Sequence, residues 1–393
     1  MSRRLLAVIC GLLLVFSVSA VGFANEVTLT VWESTGGPDE FIKQAGEAFT
    51  KLYPHIKINY VNVELGDSTG QIAWDGPAGV GPDLFAAPHD KLGELVVGGH
   101  VMPTADPDEV GAQVLESCRT ALTYDGVMYG YPVSAETYAL FYNKALISED
   151  EVPKTWEELK EFSRKFNEAN PGKYGFIMDV GNGYYTIIFT TSQGNRLFGP
   201  DGTDTENTNI NSPASVEGMK FFQSLREILD VPAADLTTSI GDSVFASGGA
   251  AMYITGLWNV ANFEKAGLEF GVAPLPALPG EDTPPASFSG TRAMFVSAYS
   301  YNIEEAELFA RFLISEEMQR LRFDITGTVP AIPLEVESPY IEGFLTQLEY
   351  AFPMPSIPQM NAYWDAMNAA SANIWDGADV QAELDAANMA ILQ

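Results

Sequence analysis

The first hundred residues after an N-terminal leader alternate strand and helix patterns, and that order decides the fold class. Val27–Trp32 places apolar residues at every second position and predicts a strand. Glu33-Ser-Thr-Gly-Gly-Pro-Asp39 is rich in turn formers, and Asp39 is expected to cap a helix whose stripe is Phe41, Ile42, Ala45, Ala48, Phe49 and Leu52. Lys57–Val63 predicts a second strand, Leu84–Ala87 a third, and Leu92–Val97 opens another helix. Strand–helix–strand–helix–strand calls for a mostly parallel sheet with helices on its faces, an α/β fold. Ligands of such sheets bind beyond the carboxyl ends of the strands. Glu33–Gly37 and Pro88–Lys91 are loops of that kind.

The leader itself stands outside the fold. Arg3 and Arg4 precede an apolar run from Leu5 to Val18, and Val21-Gly22-Phe23-Ala24 supplies small residues for cleavage. This predicts a secretory signal peptide over residues 1–24, with the exported chain starting at Asn25. Cys10 lies inside the apolar run, which argues against a lipid-anchored precursor. Cys118 is then the only cysteine left, so no internal disulfide is expected, and its place among Val114, Leu115 and Leu122 predicts a buried thiol on a helix face. Loss of the two leader arginines takes the formal charge from −31 to −33, a surface that repels nucleic acid and anionic lipid. A mature length of about 370 residues favours two domains.

Further strands are predicted at Val127–Pro132, Ala139–Asn143, Tyr174–Met178, Ala250–Ile254 and Phe270–Pro276. Thr155 and Glu158 make a capping box for a helix, and Ser212–Leu229 predicts a long one. The last third is helical, ending in Asn361–Trp375 and Val380–Ile391. None of the three histidines has metal-ligand spacing, and no phosphate-binding loop, dinucleotide fingerprint or nucleophile elbow is present. Neither a metal nor a cofactor is expected. The better signal is aromatic: Trp32, Tyr184, Tyr185, Trp258, Tyr363 and Trp364 all fall near element ends. Pro353, Pro355 and Pro358 hold the approach to Tyr363 and Trp364 extended. Taken alone, that ring pair fits core packing and a site wall equally well. Several such rings near strand ends favour a cleft for a ligand with apolar faces and hydroxyl edges, such as a sugar.

Several segments, in order, carry a resemblance. They are Gly81-Pro-Asp-Leu-Phe-Ala-Ala-Pro-His-Asp-Lys91, Tyr129-Gly-Tyr-Pro-Val-Ser-Ala-Glu136, Leu140-Phe-Tyr-Asn-Lys144, Pro153-Lys-Thr-Trp-Glu-Glu158, Ala250-Ala-Met-Tyr-Ile-Thr-Gly-Leu-Trp258 and Met354-Pro-Ser-Ile-Pro-Gln-Met360. Together they resemble the maltose/maltodextrin-binding proteins among the extracellular solute-binding proteins of ABC importers. The resemblance implies a two-lobed periplasmic-binding-protein (type II) fold with a hinge and an interlobe ligand cleft. It implies lobes of 25–134 plus about 293–325 and of 138–287 plus about 332–393. It also implies crossings near Ser134–Thr137, Ser287–Thr291 and Ile325–Ile332.

Residue by residue, the resemblance makes Asp90, Lys91 and Glu136 partners of sugar hydroxyls, Tyr184 and Tyr185 an aromatic pair, and Trp258 and Trp364 stacking rings. Met354 becomes a wall residue, and Glu33 and Ser34 line the first lobe. Ala87 stands where the best-known members have tryptophan, Lys91 and Asn368 where they have arginine, Asn182 an acid and Thr238 an aromatic. Asn368 is therefore the residue expected to individualise the sugar preference. The implied function is a periplasmic or cell-surface receptor, not an enzyme. It would act as a monomer, bind a maltodextrin or related oligosaccharide by lobe closure, and deliver it to permease subunits. Alternatives are a receptor for trehalose, another glycoside or a polyol, and a secreted carbohydrate-active enzyme.

Overall fold

Apolar strands sort into two sheets, each with its own core. The computed structural model describes residues 26–393; the expected leader and Cys10 lie outside the described residues. In chain order the strands are β1 (Val27–Glu33), β2 (Ile56–Asn62), β3 (Leu84–Pro88), β4 (Thr123–Tyr124), β5 (Val127–Met128), β6 (Tyr131–Glu136), β7 (Tyr138–Asn143), β8 (Tyr174–Ile177), β9 (Ala250–Gly256), β10 (Phe270–Ala273), β11 (Phe288–Val296) and β12 (Phe352–Pro353). The first sheet runs β12-β11-β3-β1-β2, with β6 also on β11. β1 is parallel to β2 and β3, as the strand–helix alternation predicts, whereas β11 runs antiparallel to β3 and β6. The second sheet is β10-β7-β9-β8, with β7 antiparallel to both neighbours.

Helices close the apolar faces of each sheet. Phe41 and Phe49 of the helix Pro38–Leu52 pack with Phe85, Phe295 and Phe309 in the first core. Trp156, Phe189, Phe222 and Trp375 pack with Phe141 and Phe176 in the second. The fold is the two-lobed α/β architecture with a cleft between the lobes. The chain leaves the first sheet for the second between β6 and β7, and returns between β10 and β11. At that junction Thr137 Oγ1 donates to the Phe288 carbonyl at 2.8 Å and shares a hydrogen bond with Ser287 Oγ at 2.9 Å. A bridge between Ala135 and Val329 adds the last segment.

Several local expectations need correction. The helix Pro38–Leu52 has Gly37 as its N-cap, and Asp39 sits inside the first turn, accepting from Lys43 Nζ at 2.7 Å. Proline wins the first helical position because it has no N–H to lose there and its φ is already helical. The strand expected over Val127–Pro132 divides at Gly130, whose φ of 76° turns the chain out of the β4–β5 hairpin. The helix expected over Ser212–Leu229 spans Pro213–Ser224 and ends in a short 3-10 turn. Thr155 and Glu158 do form a capping box. Cys118 is fully buried on the helix Glu116–Ala121, and burial pushes its thiol up to about 11, so it stays protonated and inert.

Candidate functional site

A cavity of about 630 Å³ lies between the lobes, and three groups of residues line it. The first lobe contributes the loops beyond β1 and β3. Ser34, Thr35 and Gly36 follow β1; Pro88 ends β3, and Asp90 and Lys91 follow it. Carboxyl-end loops of adjacent parallel strands meet at this place because the strands run the same way. The crossing segments contribute Glu136 at the end of β6, Gly290–Arg292 in β11, and Thr326 and Thr328. The second lobe contributes Tyr184, Asp242, Trp258, Asn259, Met354 and Trp364.

The rings form one continuous aromatic wall. Tyr184 stacks on Phe288 at 6.1 Å and 28°, and its ring centre is 6.2 Å from that of Trp258. Trp364 stands edge-on to Phe288 at 6.0 Å and to Tyr363 at 5.1 Å. Tyr184, Trp258 and Trp364 are each half-buried, which leaves ring surface to the cavity. Tyr363, by contrast, is fully buried, and its hydroxyl donates to the Gly183 carbonyl at 3.0 Å. Trp364 Nε1 donates to Asp90 Oδ2 at 3.2 Å, so the two lobes touch through a ring edge and a carboxylate. Burial pushes the Asp90 carboxyl above the usual range. Lys91 Nζ donates to Asn361 Oδ1 at 2.6 Å, a second contact across the lobes.

His89 pins the same junction from beneath. It is fully buried; Thr291 N–H donates to its Nδ1 at 3.0 Å, so the proton sits on Nε2, 2.9 Å from the Met354 carbonyl. Burial lowers its pKa below 6.5. The unfolded chain takes up this proton near pH 6.5 while the native chain does not, so stability falls as pH drops from about 6.5 towards the native pKa. The expected result is a urea midpoint that declines between about pH 7 and 5.5. In His89→Gln, which keeps a donor, that part of the slope should vanish. An equally steep slope in the variant would count against His89 as its source.

Eight of the eleven residues expected at the site line the cavity: Ser34, Asp90, Lys91, Glu136, Tyr184, Trp258, Met354 and Trp364. Three do not. Glu33 is buried below the floor, holding Arg292: Arg292 Nε donates to Oε2 at 3.3 Å and Nη2 to Oε1, while Ser34 N–H donates to Oε1 at 2.7 Å. Tyr185 faces the second core, edge-on to Tyr138 at 5.2 Å and to Tyr184 at 5.3 Å. Asn368 turns its Oδ1 to the Gly183 N–H at 2.7 Å. Asn182 Oδ1 accepts from Tyr184 N–H at 2.9 Å, so two asparagines occupy donors at the start of the helix that presents Tyr184. Thr238 likewise turns away, donating to Asp179 Oδ2 at 2.7 Å. Ala87 is fully buried and paired with Ala293.

Unforeseen residues complete the lining. Asp242 accepts from Tyr253 Oη at 2.9 Å and Asn259 Nδ2 at 2.6 Å, and burial raises its carboxyl. Arg292 and Arg322 are both almost fully buried. The available signal for Arg322 was its spacing: in the helix Glu316–Thr326 it shares a face with Met318 and Thr326, four residues before and after it.

A bacterial extracellular solute-binding protein family model matches residues 33–320, which includes β1's last residue, β3, β6 and β11. The chain belongs to that family. Among solute-binding relatives, a galactooligosaccharide-binding protein of Bacillus subtilis is 32% identical over 384 residues, covering 94% of this chain and 90% of that one. A maltotriose-binding protein of Pyrococcus abyssi is 31% identical over 356 residues, covering 87% and 76%. The crystal structure of a cyclo/maltodextrin-binding protein complexed with maltotetraose superposes with a TM-score of 0.80 at 32% identity, covering 93% of this chain and 96% of that one. Among the described residues of this solute-binding protein, no helix is long and apolar enough to cross a membrane. No group of three or more His, Cys, Asp or Glu among them is placed to hold a metal ion.

Proposed function

We propose that this protein is the exported receptor of an ABC sugar importer and that it binds a maltodextrin-type α-glucoside by closing its lobes. The observation that carries the reading is the aromatic wall of Tyr184, Trp258 and Trp364 facing polar groups of the other lobe, Asp90, Lys91 and Ser34. Ring faces cover the apolar faces of a pyranose, and the polar groups meet its hydroxyl edge. Contacts from both lobes favour the closed state, because a ligand shifts an equilibrium only by its differential affinity for the two states. The closed form then presents both lobes to the permease. In this reading the first lobe comprises 25–134 plus about 293–325 and the second 138–287 plus about 332–393. The leader directs export to the periplasm or the cell surface.

The maltotriose-binding relative and the maltotetraose complex support the α-glucoside. The galactooligosaccharide-binding relative supports a second reading, a galactooligosaccharide in the same cleft. Calorimetric titration of the mature chain with maltose, maltotriose, maltotetraose, trehalose and a galactooligosaccharide separates them. Micromolar binding of a maltodextrin, about −8 kcal/mol, is the expected result. Heat from the galactooligosaccharide alone would replace the α-glucoside reading with the second.

A further inference from the structure

Arg322 is the one cavity-lining residue whose chemistry is left unanswered. Its side chain is 2% exposed, it lines the cavity, and Nε, Nη1 and Nη2 have no hydrogen-bond partner among the described residues. A guanidinium carries five N–H donors and no acceptor, so burying it without partners is costly. The Phe41 ring lies 5.2 Å from its centre and offers a π-face but no lone pair in the plane of the fork. The acid whose charge acts most on it is spoken for: both oxygens of Glu33 are held by Arg292 and by Ser34. The neighbouring hydroxyls are also engaged, since Thr326 Oγ1 donates to the Arg322 carbonyl at 2.7 Å and pairs with Thr328 Oγ1 at 2.7 Å.

Position adds to the argument. The ring wall is built around Phe288, whereas Ser34, Arg292, Arg322, Thr326 and Thr328 come from the first lobe and the crossing segments. Glu136 belongs to both neighbourhoods: its charge acts on Tyr184 and on Arg322. One of its oxygens accepts from Ser134 Oγ at 3.0 Å, and no donor among the described residues engages the other. A sugar hydroxyl donates one hydrogen bond and accepts others. A buried donor fork and a carboxylate with a free oxygen, both lining one cavity, are complementary to hydroxyls on adjacent ring carbons.

We propose that Arg322 is a ligand-binding residue which, with Glu136, holds adjacent hydroxyls of the sugar unit lying beyond the aromatic wall. The ligand class is a neutral oligosaccharide long enough to span from the rings to Arg322. This proposal rests on the sugar-receptor reading above. It assigns the unpaired guanidinium a partner that arrives with the ligand, so the empty cleft carries a destabilising group that binding relieves.

The test uses the mature chain as wild type, Arg322→Met and Arg322→Lys, titrated with maltose, maltotriose and maltotetraose, with thermal unfolding in the absence of sugar. Methionine keeps the length and apolar stem without donors; lysine keeps the charge without the fork. Arg322→Met is expected to weaken the tightest-binding sugar at least tenfold and to flatten the gain in affinity from maltose to the longer chains. Its sugar-free Tm should be unchanged or higher, because removing a buried unpaired charge in favour of an apolar side chain is neutral or stabilising. Arg322→Lys should fall between. Affinities within twofold of wild type overturn the proposal, as does an equal loss for all three sugars with a lowered sugar-free Tm, which marks a structural arginine. Should the methionine variant not fold, unchanged affinity in the lysine variant overturns it. Wild-type protein that binds none of the sugars removes the receptor reading itself, whereas wild-type binding with an unaffected Arg322→Met removes this proposal alone.

Discussion

Glu33→Ala is expected to destabilise the protein by about 3–5 kcal/mol, the largest single effect of any substitution considered. The carboxylate is fully buried and ties the end of β1 to Arg292 of β11, two strands of one sheet that do not pair with each other. Its removal leaves two guanidiniums, Arg292 and Arg322, buried within each other's field and Arg292 without the carboxylate it hydrogen-bonds. Removing the cation instead should cost less. In Arg292→Met the freed Glu33 carboxylate has Arg322 close by, and Arg322 has an empty fork to offer it. Urea unfolding of Glu33→Ala, Arg292→Met and the double variant would measure the order, with the double variant recovering part of the loss. If Arg292→Met proved the more damaging single change, Arg322 would not be the reserve partner described here.

The second large effect is on binding. Trp364→Ala is expected to weaken the preferred sugar at least tenfold, on the order of 1.4 kcal/mol. It removes a stacking face and also the indole N–H that donates to Asp90. Trp364→Phe separates the two contributions, because the face remains while the donor goes. Affinity unchanged in both variants would take the ring out of the site. A loss in alanine that phenylalanine restores would assign the effect to stacking.

What was legible in the sequence follows from how local each signal is. The β1–helix–β2 unit was readable because period-two and period-3.6 patterns switch cleanly over a short stretch. β11 was not. Phe-Ser-Gly-Thr-Arg-Ala-Met-Phe-Val is buried on both faces, so no alternation marks it, and its arginine reads as surface. Gly-Tyr-Tyr-Thr-Ile-Ile-Phe-Thr, the helix Gly183–Thr190, has aromatic and β-branched residues that favour strand, and nearly all are buried, so no amphipathic stripe survives. Asn182 and Asn368 set its start by side-chain hydrogen bonds, one from 185 residues away, which no window on the sequence contains. The cavity residues on loops after strands were found by position and by family resemblance. Arg292 and Arg322 were missed because a buried guanidinium is recognised by its partners, and those partners are distant in sequence.

The strap from Phe352 to Asn361 has a mechanical consequence. It pairs with β11 through β12, gives the Met354 carbonyl to His89, and gives the Ser356 carbonyl to the Gly93 N–H at 3.1 Å. Asn361 continues the series on Lys91 and Glu94. A rotating body displaces each point in proportion to its distance from the axle. The helix bearing Trp364 is riveted to the opposite lobe immediately before the ring, whereas Trp258 and Tyr184 have no such anchor in their own approach segments. The three rings ride on one lobe as a single wall, and the strap pins the Trp364 end of that wall against Asp90 and Lys91 of the other lobe. A hinge near the strap would let the far end of the wall swing while the Trp364–Asp90 contact holds.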